Sequence, residues 1–139
     1  MKLDSLTSRE LERYNRQLKI PEFGLDGQKK LKKAKVVVVG VGGLGSLVAT
    51  YLVAVGVGKL TLIDREKVEL SNLNRQILYQ EKDVGKFKVE SALEKLSKLN
   101  SDVKMDGKVV EINKENVYSL VKNSDVVVDG MDNFETSFC

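Results

Sequence analysis

Histidine is absent from this chain of 139 residues, and its single cysteine is Cys139. Without histidine there is no imidazole for acid–base catalysis and no histidine ligand for a metal ion. One thiol cannot form a disulfide within the chain, and it cannot supply a paired-cysteine zinc site. The composition therefore excludes histidine-dependent catalysis and metal sites built from histidines or cysteine pairs.

The chain also lacks a long apolar run and a dominant charge. Its most apolar stretch, residues 44–57, is too short for a membrane span and is interrupted by two glycines, a serine and a threonine. Residues 1–12 carry mixed charges and do not resemble a signal peptide, so we expect a cytoplasmic location. The formal net charge is +3, from 23 basic and 20 acidic residues. This balance gives little support for nucleic acid or a membrane as the main partner.

The sequence alternates short β-branched runs with longer amphipathic stretches. Strands are predicted at 36–39, at 59–64, around Val109 and at 125–129. Helices are predicted at about 7–19, with a capping box at its start, at 28–33, from the glycine-rich segment to about residue 55, at 86–99 and at 114–122. This order predicts an α/β fold, with a Rossmann-like parallel sheet and flanking helices. We divide the chain into an N-terminal helical segment, 1–34, and a Rossmann-like domain, 35–139.

A glycine-rich motif, Gly40-x-Gly42-x-x-Gly45, falls between the first predicted strand and the following helix. Glycines at this spacing allow a tight turn and a close approach of the backbone to a phosphate, while the helix N-terminus offers N–H groups to the anion. Asp64 ends the second strand about 20 residues later, where dinucleotide-binding folds carry an acid that binds ribose hydroxyls. The pattern predicts nucleotide binding, but NAD, FAD, a methyl donor and ATP all use such a loop.

Further polar residues favour ATP among these nucleotides. Arg16 lies in the first helix, Arg75 in the polar segment after Asp64, and Lys88 at the start of the long helix, whereas Asp132 follows the last strand. Arginine suits phosphate oxygens and aspartate suits magnesium, so together these residues fit a magnesium-bound triphosphate. The reaction that they indicate is adenylation, in which a carboxylate attacks the α-phosphorus and pyrophosphate leaves. That attack needs no side-chain base, so the missing histidines do not count against it.

Taken singly, each of these residues also has an ordinary structural explanation. Arg16 and Lys88 are typical of solvated helix charges, Asn72 and Asn74 of turns, and Asp132 of a helix cap. The lysines of residues 29–35 fit a solvated helix face better than an RNA-binding surface, because no aromatic residues stand among them to stack on bases. The functional interpretation therefore depends on the residues acting together.

Six segments carry a shared pattern, namely RYNRQ, GxGGLGS, LTLID, SNLNRQ, VGKFKVES and the Asp132-Asn133 pair. With these segments, the sequence from Arg13 to Thr136 resembles the ThiF/MoeB/HesA adenylyltransferases, relatives of the ubiquitin-activating enzymes. The resemblance implies ATP and Mg2+ as cofactors, a homodimer, and a ubiquitin-like sulfur-carrier protein as partner. The implied reaction is ATP-dependent adenylation of the carrier's C-terminal glycine carboxylate.

The resemblance also implies roles for individual residues. Gly43 lies against the phosphates, Asp64 binds the ribose, and Asn72 and Arg75 contact the nucleotide. Arg16 reaches across the dimer interface into the ATP site of the partner. The implied catalytic set is Arg16, Arg75, Lys88 and Asp132, with Asp132 as the metal ligand. The implied cofactor-binding set is Gly40, Gly42, Gly43, Gly45, Asp64, Asn72, Arg75, Lys88, Asp132 and Asn133.

The chain departs from the family pattern at its C-terminal end. Family members usually continue further, with more sheet, a groove for the carrier's tail and often a set of zinc-binding cysteines. That zinc site is absent, Ser137 stands near the position of a usual arginine, and we assign no role to Cys139. We therefore expect weak or absent turnover from this chain. Two other interpretations stay open: an ATP-binding remnant of such an enzyme, and a dinucleotide-dependent oxidoreductase.

Overall fold

Four parallel strands form one sheet in a computed structural model that describes residues 5–131. The strands are β1 (Lys35–Val39), β2 (Lys59–Ile63), β3 (Lys104–Lys108) and β4 (Val126–Asp129), in the spatial order β3-β2-β1-β4. The order reverses at β1, because β2 and β3 lie on one side of it and β4 on the other. Open α/β sheets bind ligands at the carboxyl ends of the strands beside such a reversal. The predicted α/β, Rossmann-like fold is confirmed.

Helices connect the strands and cover the sheet. They are α1 (Ser8–Arg13), α2 (Asn15–Leu18), α3 (Gly24–Lys33), α4 (Gly43–Val55), α5 (Lys88–Leu99) and α6 (Val117–Val121), with 3-10 turns at Leu70–Asn72 and Glu81–Asp83. Each connection between successive strands contains one of the helices α4, α5 and α6, as parallel pairing requires. In the described part of the chain, every helix is too short or too polar to cross a bilayer.

The β1 strand is buried on both faces, as its run of valines predicts. Val36 and Val38 pack into the larger apolar cluster, together with residues of α4 and α5. Val37 and Val39 point the other way, into a smaller cluster with residues of α6. This double burial holds the carboxyl end of β1, and the glycine loop that follows it, in a fixed place.

The N-terminal helices pack against the C-terminal end of α4. Gln28 on α3 is fully buried, and its Nε2 donates to the carbonyl oxygen of Val55 at 2.9 Å. Gln17 on α2 donates from Nε2 to Oε1 of Gln28 at 2.7 Å. The buried hydroxyl of Tyr14 accepts from Nδ2 of Asn100 at 2.8 Å. These hydrogen bonds attach α2 and α3 to the end of α4 that lies away from the glycine loop, and Tyr14 to the end of α5.

The first predicted helix is divided in the structure. The predicted capping box is present, because the Thr7 side chain accepts from the N–H of Glu10 while the Glu10 side chain accepts from the N–H of Thr7. The helix predicted to reach about residue 19 breaks at Tyr14, whose φ of −98° and ψ of 14° are not helical. The buried Tyr14 ring packs against Gly56, where an added Cβ would lie 2.4 Å from the ring. Such a tertiary contact cannot be read from helix propensity.

Two other helices begin at different residues from those predicted. The α3 helix begins at Gly24 instead of residue 28, and a Cβ on its Gly27 would lie 2.4 Å from the ring of Phe23, which would have to shift. The α6 helix begins at Val117 instead of residue 114. The Asn113 side chain accepts from the N–H groups of Glu115 and Asn116, and this local turn delays the helix.

The third strand was predicted around Val109, and this position is wrong, because β3 ends at Lys108. The sequence of β3 has no β-branched residue, so propensity does not identify it. Its position is set by pairing with β2, in which Gly107 lies opposite Leu62. A Cβ on Gly107 would lie 2.2 Å from Cγ1 of Val89, so glycine here lets α5 pack closely against the sheet.

Candidate functional site

The glycine loop, residues 40–45, joins the carboxyl end of β1 to the N-terminus of α4. Gly40 has a φ of +90°, which residues with a side chain rarely adopt. A Cβ on Gly45 would lie 1.7 Å from the carbonyl oxygen of Gly40, so only glycine lets α4 begin this close to the strand. Gly42 stands at the N-cap, where no described side chain accepts from the N–H groups of the helix. Those groups are available to bind an anion.

Two side chains hold the middle of this loop at Val41. The Asp64 carboxylate, directly after β2, accepts the N–H of Val41 at 2.9 Å, and the Tyr79 hydroxyl donates to the Val41 carbonyl at 2.5 Å. Burial raises the pKa of Tyr79 well above its ordinary value, and the negative charges of Asp64 and Asp83 add to this effect. The hydroxyl therefore stays protonated and keeps donating, so the loop has its shape before any ligand binds.

Asp64 keeps acceptor capacity for a ligand in spite of these contacts. Its Oδ2 accepts from Val41, and its Oδ1 accepts from the N–H of Glu66 at 2.7 Å. Each carboxylate oxygen can accept a further hydrogen bond. Asp64 is thus able to bind ribose hydroxyls while it supports the glycine loop.

A cavity of about 340 Å3 lies over the glycine loop, at the carboxyl ends of the strands. Its volume is within the range of about 300–1,000 Å3 that is typical of small-molecule pockets. The cavity has an apolar wall, formed by Val39, Leu44, Ile63, Val110, Ile112 and Met131. It therefore offers an apolar surface for a base ring beside the N–H groups that suit a phosphate. These features fit a nucleotide, as the sequence predicts.

Two of the predicted cations line this cavity. Lys88 begins α5 and is 4% exposed, and its Nζ lies 3.2 Å from Oε1 of Glu66. Burial strengthens the attraction between this ammonium group and an anion, because less water screens it. Arg75 is exposed, and its Nη1 donates to the Ser71 carbonyl and to Oδ1 of Asn74, both at 3.1 Å. These bonds hold the guanidinium group beside the cavity.

The charges around the cavity are balanced before a ligand enters. Among the described residues that line it, the cations are Arg65, Arg75 and Lys88, and the acids are Asp64, Glu66 and Glu111. Nη1 of Arg65 lies 3.7 Å from Oε2 of Glu111, and both side chains are exposed, as is Glu66. Exposed ion pairs contribute little free energy. A phosphate group can therefore replace Glu111 as the partner of Arg65 at small cost.

The structure brings six of the sequence-predicted residues together at this cavity: Gly40, Gly42, Gly43, Asp64, Arg75 and Lys88. Gly45 lies beneath the loop, against Gly40. Asn72 is buried, and its Oδ1 accepts from the N–H of Glu69 at 2.8 Å. It shapes the segment before Arg75 without lining the cavity, so its contact with a nucleotide stays a prediction.

The remaining predicted residues lie away from the cavity or outside the described residues. Arg16 lies in α2, which packs at the opposite end of α4. Asp132 and Asn133, like Ser137 and Cys139, fall outside the described residues, so the roles of Asp132 and Asn133 stay predictions. Between residues 5 and 131, no group of three or more acidic, histidine or cysteine side chains is placed to hold a metal ion.

Sequence reasoning assigned no role to Gln76, although this residue ends the SNLNRQ segment. Gln76 is 4% exposed, it lines the cavity, and its Oε1 has no hydrogen-bond partner among residues 5–131. Buried side-chain oxygens without a partner are uncommon in folded proteins. The sequence shows the position of Gln76 next to Arg75, but neither its burial nor its free oxygen.

The profile of the ThiF family matches residues 14–139 of this sequence. The chain belongs to the ThiF family. It is 46% identical over 132 residues to the sulfur carrier protein adenylyltransferase of Thermus thermophilus, and 46% identical over 134 residues to the SAMP-activating enzyme E1 of Haloferax volcanii. These alignments cover 95% and 96% of this chain, but 49% and 50% of the relatives. This ThiF-family chain therefore spans about half the length of the curated relatives that it matches.

A solved structure of similar fold shows a nucleotide. The E. coli tRNA N6-threonylcarbamoyladenosine dehydratase TcdA, in complex with ATP, matches this ThiF-family chain with a TM-score of 0.87 and 27% identity. The match covers 93% of this chain and 53% of TcdA. The resemblance predicted from the sequence motifs, and the fold that it implied, are confirmed.

Proposed function

We propose that this chain forms the ATP-binding part of an enzyme that adenylates the C-terminal glycine carboxylate of a small ubiquitin-like or sulfur-carrier protein and releases pyrophosphate. The observation that carries this proposal is the convergence of the glycine loop, Asp64, Arg75 and Lys88 on one cavity. The names of two relatives, a sulfur carrier protein adenylyltransferase and a SAMP-activating enzyme E1, support the substrate class. Because the chain spans about half of those relatives, the complete activity is a proposal for the whole enzyme.

Each part of ATP has a matching part of the cavity. The N–H groups at the start of α4 and the Lys88 and Arg75 side chains bind the phosphates. Asp64 accepts hydrogen bonds from the ribose hydroxyls. The apolar wall that includes Ile63 and Ile112 contacts the adenine ring. Asn72 acts on the nucleotide by fixing the segment that carries Arg75.

The reaction depends on positioning and on neutralised charge, and not on a base. The ionised glycine carboxylate of the carrier attacks the α-phosphorus, and a carboxylate–phosphorus bond forms. The bond between this phosphorus and the oxygen shared with the β-phosphate breaks, and pyrophosphate leaves with the electron pair. No proton is transferred in this step, which suits a chain without histidine. Lys88 and Arg75 neutralise negative charge that develops on the leaving group.

Magnesium supplies further charge neutralisation at the phosphates when it is bound, and we propose Asp132 as its ligand and Asn133 as its neighbour in the pocket. An aspartate oxygen is a preferred ligand of this ion. We predict that Asp132→Ala abolishes the magnesium dependence of ATP binding, as measured by calorimetry with and without Mg2+. An unchanged dependence on Mg2+ would contradict the role of Asp132.

We also propose a homodimer in which Arg16 enters the ATP site of the partner copy. Gln17, beside Arg16, donates from Nε2 to the Val55 carbonyl at the C-terminal end of α4, whereas the cavity lies at the N-terminal end. The α4 helix has 13 residues and is therefore about 20 Å long. Because Arg16 lies about one helix length from its own cavity, a contact with phosphates requires a second copy of the chain.

The outer face of α4 suits such a contact between copies. Leu44, Leu47 and Tyr51 recur at helical spacing, and Leu44 and Tyr51 are 63% and 64% exposed. We expect sedimentation equilibrium to show a dimer that Tyr51→Glu dissociates. Tyr118→Glu changes another exposed tyrosine, on α6, and should leave the dimer intact. A monomeric wild-type chain at high concentration would contradict this arrangement.

Exchange of labelled pyrophosphate into ATP tests the adenylation itself. We expect slow exchange that requires a ubiquitin-like carrier with an intact C-terminal glycine and that Lys88→Met abolishes. Exchange at the same rate without the carrier would contradict the proposed substrate. Tight ATP binding without any exchange would favour the second interpretation, an ATP-binding remnant of such an enzyme.

A further inference from the structure

Gln76 has a buried side-chain amide that forms no hydrogen bond with the described residues. Its backbone is used, because its N–H donates to the Asn72 carbonyl at 2.8 Å and its carbonyl accepts from Tyr79 at 3.1 Å. Its side chain forms no hydrogen bond, from either Oε1 or Nε2, with any residue between 5 and 131. Nevertheless the residue is only 4% exposed. A buried amide without a hydrogen-bond partner among residues 5–131 is available to a ligand in the cavity.

The amide lies at the phosphate end of the cavity. Its Nε2 is 3.5 Å from the position that a Cβ would occupy on Gly42, the N-cap of α4. Gln76 lines the cavity, and its Oε1 is enclosed by protein, so the Nε2 side of the amide faces the cavity. A neutral N–H donor thus stands beside the free N–H groups of the glycine loop.

We infer that Nε2 of Gln76 donates a hydrogen bond to the polyphosphate of ATP, next to the N–H groups of the glycine loop. This inference rests on the proposed ATP site. Phosphate oxygens are acceptors and carry charge, so they form strong hydrogen bonds with such a donor. The ribose hydroxyls have a different partner, the acceptor Asp64, directly after β2. The position beside Gly42 therefore favours the phosphates over the ribose.

Because Oε1 of Gln76 is buried without a partner among residues 5–131, an experiment can distinguish a phosphate contact of this residue from a role in the stability of the fold. A buried oxygen without a partner lowers the stability of the folded protein, and an apolar side chain of the same length avoids that loss. Gln76→Met removes both the donor and the unpaired oxygen at nearly constant volume. We therefore expect the ligand-free variant to be as stable as the wild type or more stable.

The affinity of Gln76→Met for ATP and for adenosine tests the contact. A lost hydrogen bond to a charged group weakens binding by about tenfold or more, so we expect that loss for ATP. Adenosine lacks phosphates, so its affinity should be the same in the variant and the wild type. Competition against a fluorescent ATP analogue measures both affinities, and thermal unfolding without ligand measures stability. Asn123→Leu, which removes an exposed amide outside the ATP cavity, should change neither affinity.

Different results would overturn the Gln76 contact and the proposed function. A clear fall in the unfolding temperature of Gln76→Met, or its failure to fold, would overturn the inference, because the amide would then support the fold. Equal losses for ATP and adenosine would overturn the phosphate contact. Unchanged ATP affinity in the variant would overturn the inference alone, while a wild-type chain that does not bind ATP would overturn the proposed function.

Discussion

At the scale of single residues, Lys88 combines deep burial with an incomplete set of partners. Its side chain is 5% exposed, but the side chain of its partner Glu66 is 63% exposed and thus largely solvated. A buried charge is unfavourable unless it is paired and hydrogen-bonded. A phosphate in the cavity would supply the second anion that the ammonium group lacks. Binding of a phosphate would therefore offset the unfavourable burial of the Lys88 charge.

We predict that Lys88→Met lowers the affinity for ATP by at least about tenfold, since hydrogen bonds to charged groups contribute about 1.5–3 kcal/mol. The free energy of unfolding should stay the same or rise, because the variant no longer buries a charge. Calorimetry with ATP and urea unfolding measure the two quantities. Lys86→Met, a change at an exposed lysine of the same segment, should affect neither. Equal losses of affinity in both variants would contradict a specific contact of Lys88.

The types of residue in the site were predictable from the sequence, but their surroundings were not. The spacing of Gly40, Gly42 and Gly45, and the acid at Asp64, follow from what a phosphate and a ribose require of a strand and a helix. The burial of Lys88 and its pairing with Glu66 arise from packing between segments that are distant in the chain. The unpaired oxygen of Gln76 has the same origin. Such features become visible only when the chain is folded.

At the scale of elements, the contact between β1 and α4 depends on Gly45. A Cβ on Gly45 would overlap the carbonyl oxygen of Gly40, whereas a Cβ on Gly43 would be 4.0 Å from its nearest neighbour. We predict that Gly45→Ala destabilises the fold by at least about 3 kcal/mol, since overpacking of this kind typically costs about 1–3 kcal/mol and the backbone cannot yield here. Gly43→Ala should unfold at nearly the wild-type urea concentration. Equal stability of the two variants would contradict the close packing at Gly45.

A second contact between secondary-structure elements joins the 3-10 turn Glu81–Asp83 to α5. The Asp83 side chain is fully buried and forms an ion pair with Lys95, which also donates to the Leu78 carbonyl at 2.6 Å. Burial acts to raise the pKa of Asp83, but the hydrogen bonds from Lys95 and from the N–H of Gln80 outweigh it. The pKa therefore lies below its ordinary value of 3.8. This contact holds the segment that carries Tyr79, and Tyr79 supports the glycine loop.

We predict that Asp83→Asn lowers the free energy of unfolding by about 3 kcal/mol at neutral pH, because it leaves the charge of Lys95 without its partner. A carboxylate with a lowered pKa stabilises the fold above its unfolded-state pKa and loses this effect as the pH falls through the folded-state pKa. The difference in the free energy of unfolding between Asp83→Asn and the wild type should therefore become smaller only below about pH 4. Urea unfolding from neutral pH to below about pH 4 measures this difference. Glu81→Gln, which changes an exposed neighbouring residue, is the control. A difference that already shrinks between neutral pH and pH 5 would contradict the lowered pKa.

The elements themselves were predicted unevenly, for physical reasons. The strand β1 and the helix α4 follow from strong local patterns, a run of valines and a long apolar helix after the glycines. The strand β3 was misplaced, because its residues have weak strand propensity and pairing with β2 decides its position. The break at Tyr14 was missed, because contacts with Gly56 and Asn100 cause it. Local sequence determines elements that could form with few neighbours, and tertiary contacts determine the rest.

At the scale of the whole molecule, the fold separates two surfaces along α4. The ATP cavity lies at the N-terminal end of α4, and the N-terminal helices with Arg16 lie at its C-terminal end. Between them runs the exposed apolar face of α4. This layout agrees with the proposed homodimer, in which Arg16 of each copy enters the ATP site of the other copy. The chain spans about half of the length of the relatives that it matches.

We propose that one cavity of this chain binds a magnesium-bound triphosphate. Titration calorimetry of the wild-type chain with ATP and Mg2+, repeated in the presence of excess NAD, tests this binding. We predict saturable binding of ATP that NAD does not displace, because Lys88, Arg75 and the glycine loop are placed to bind a chain of phosphates. Tight binding of NAD together with no heat from ATP would contradict the account and would support a dinucleotide-dependent oxidoreductase instead.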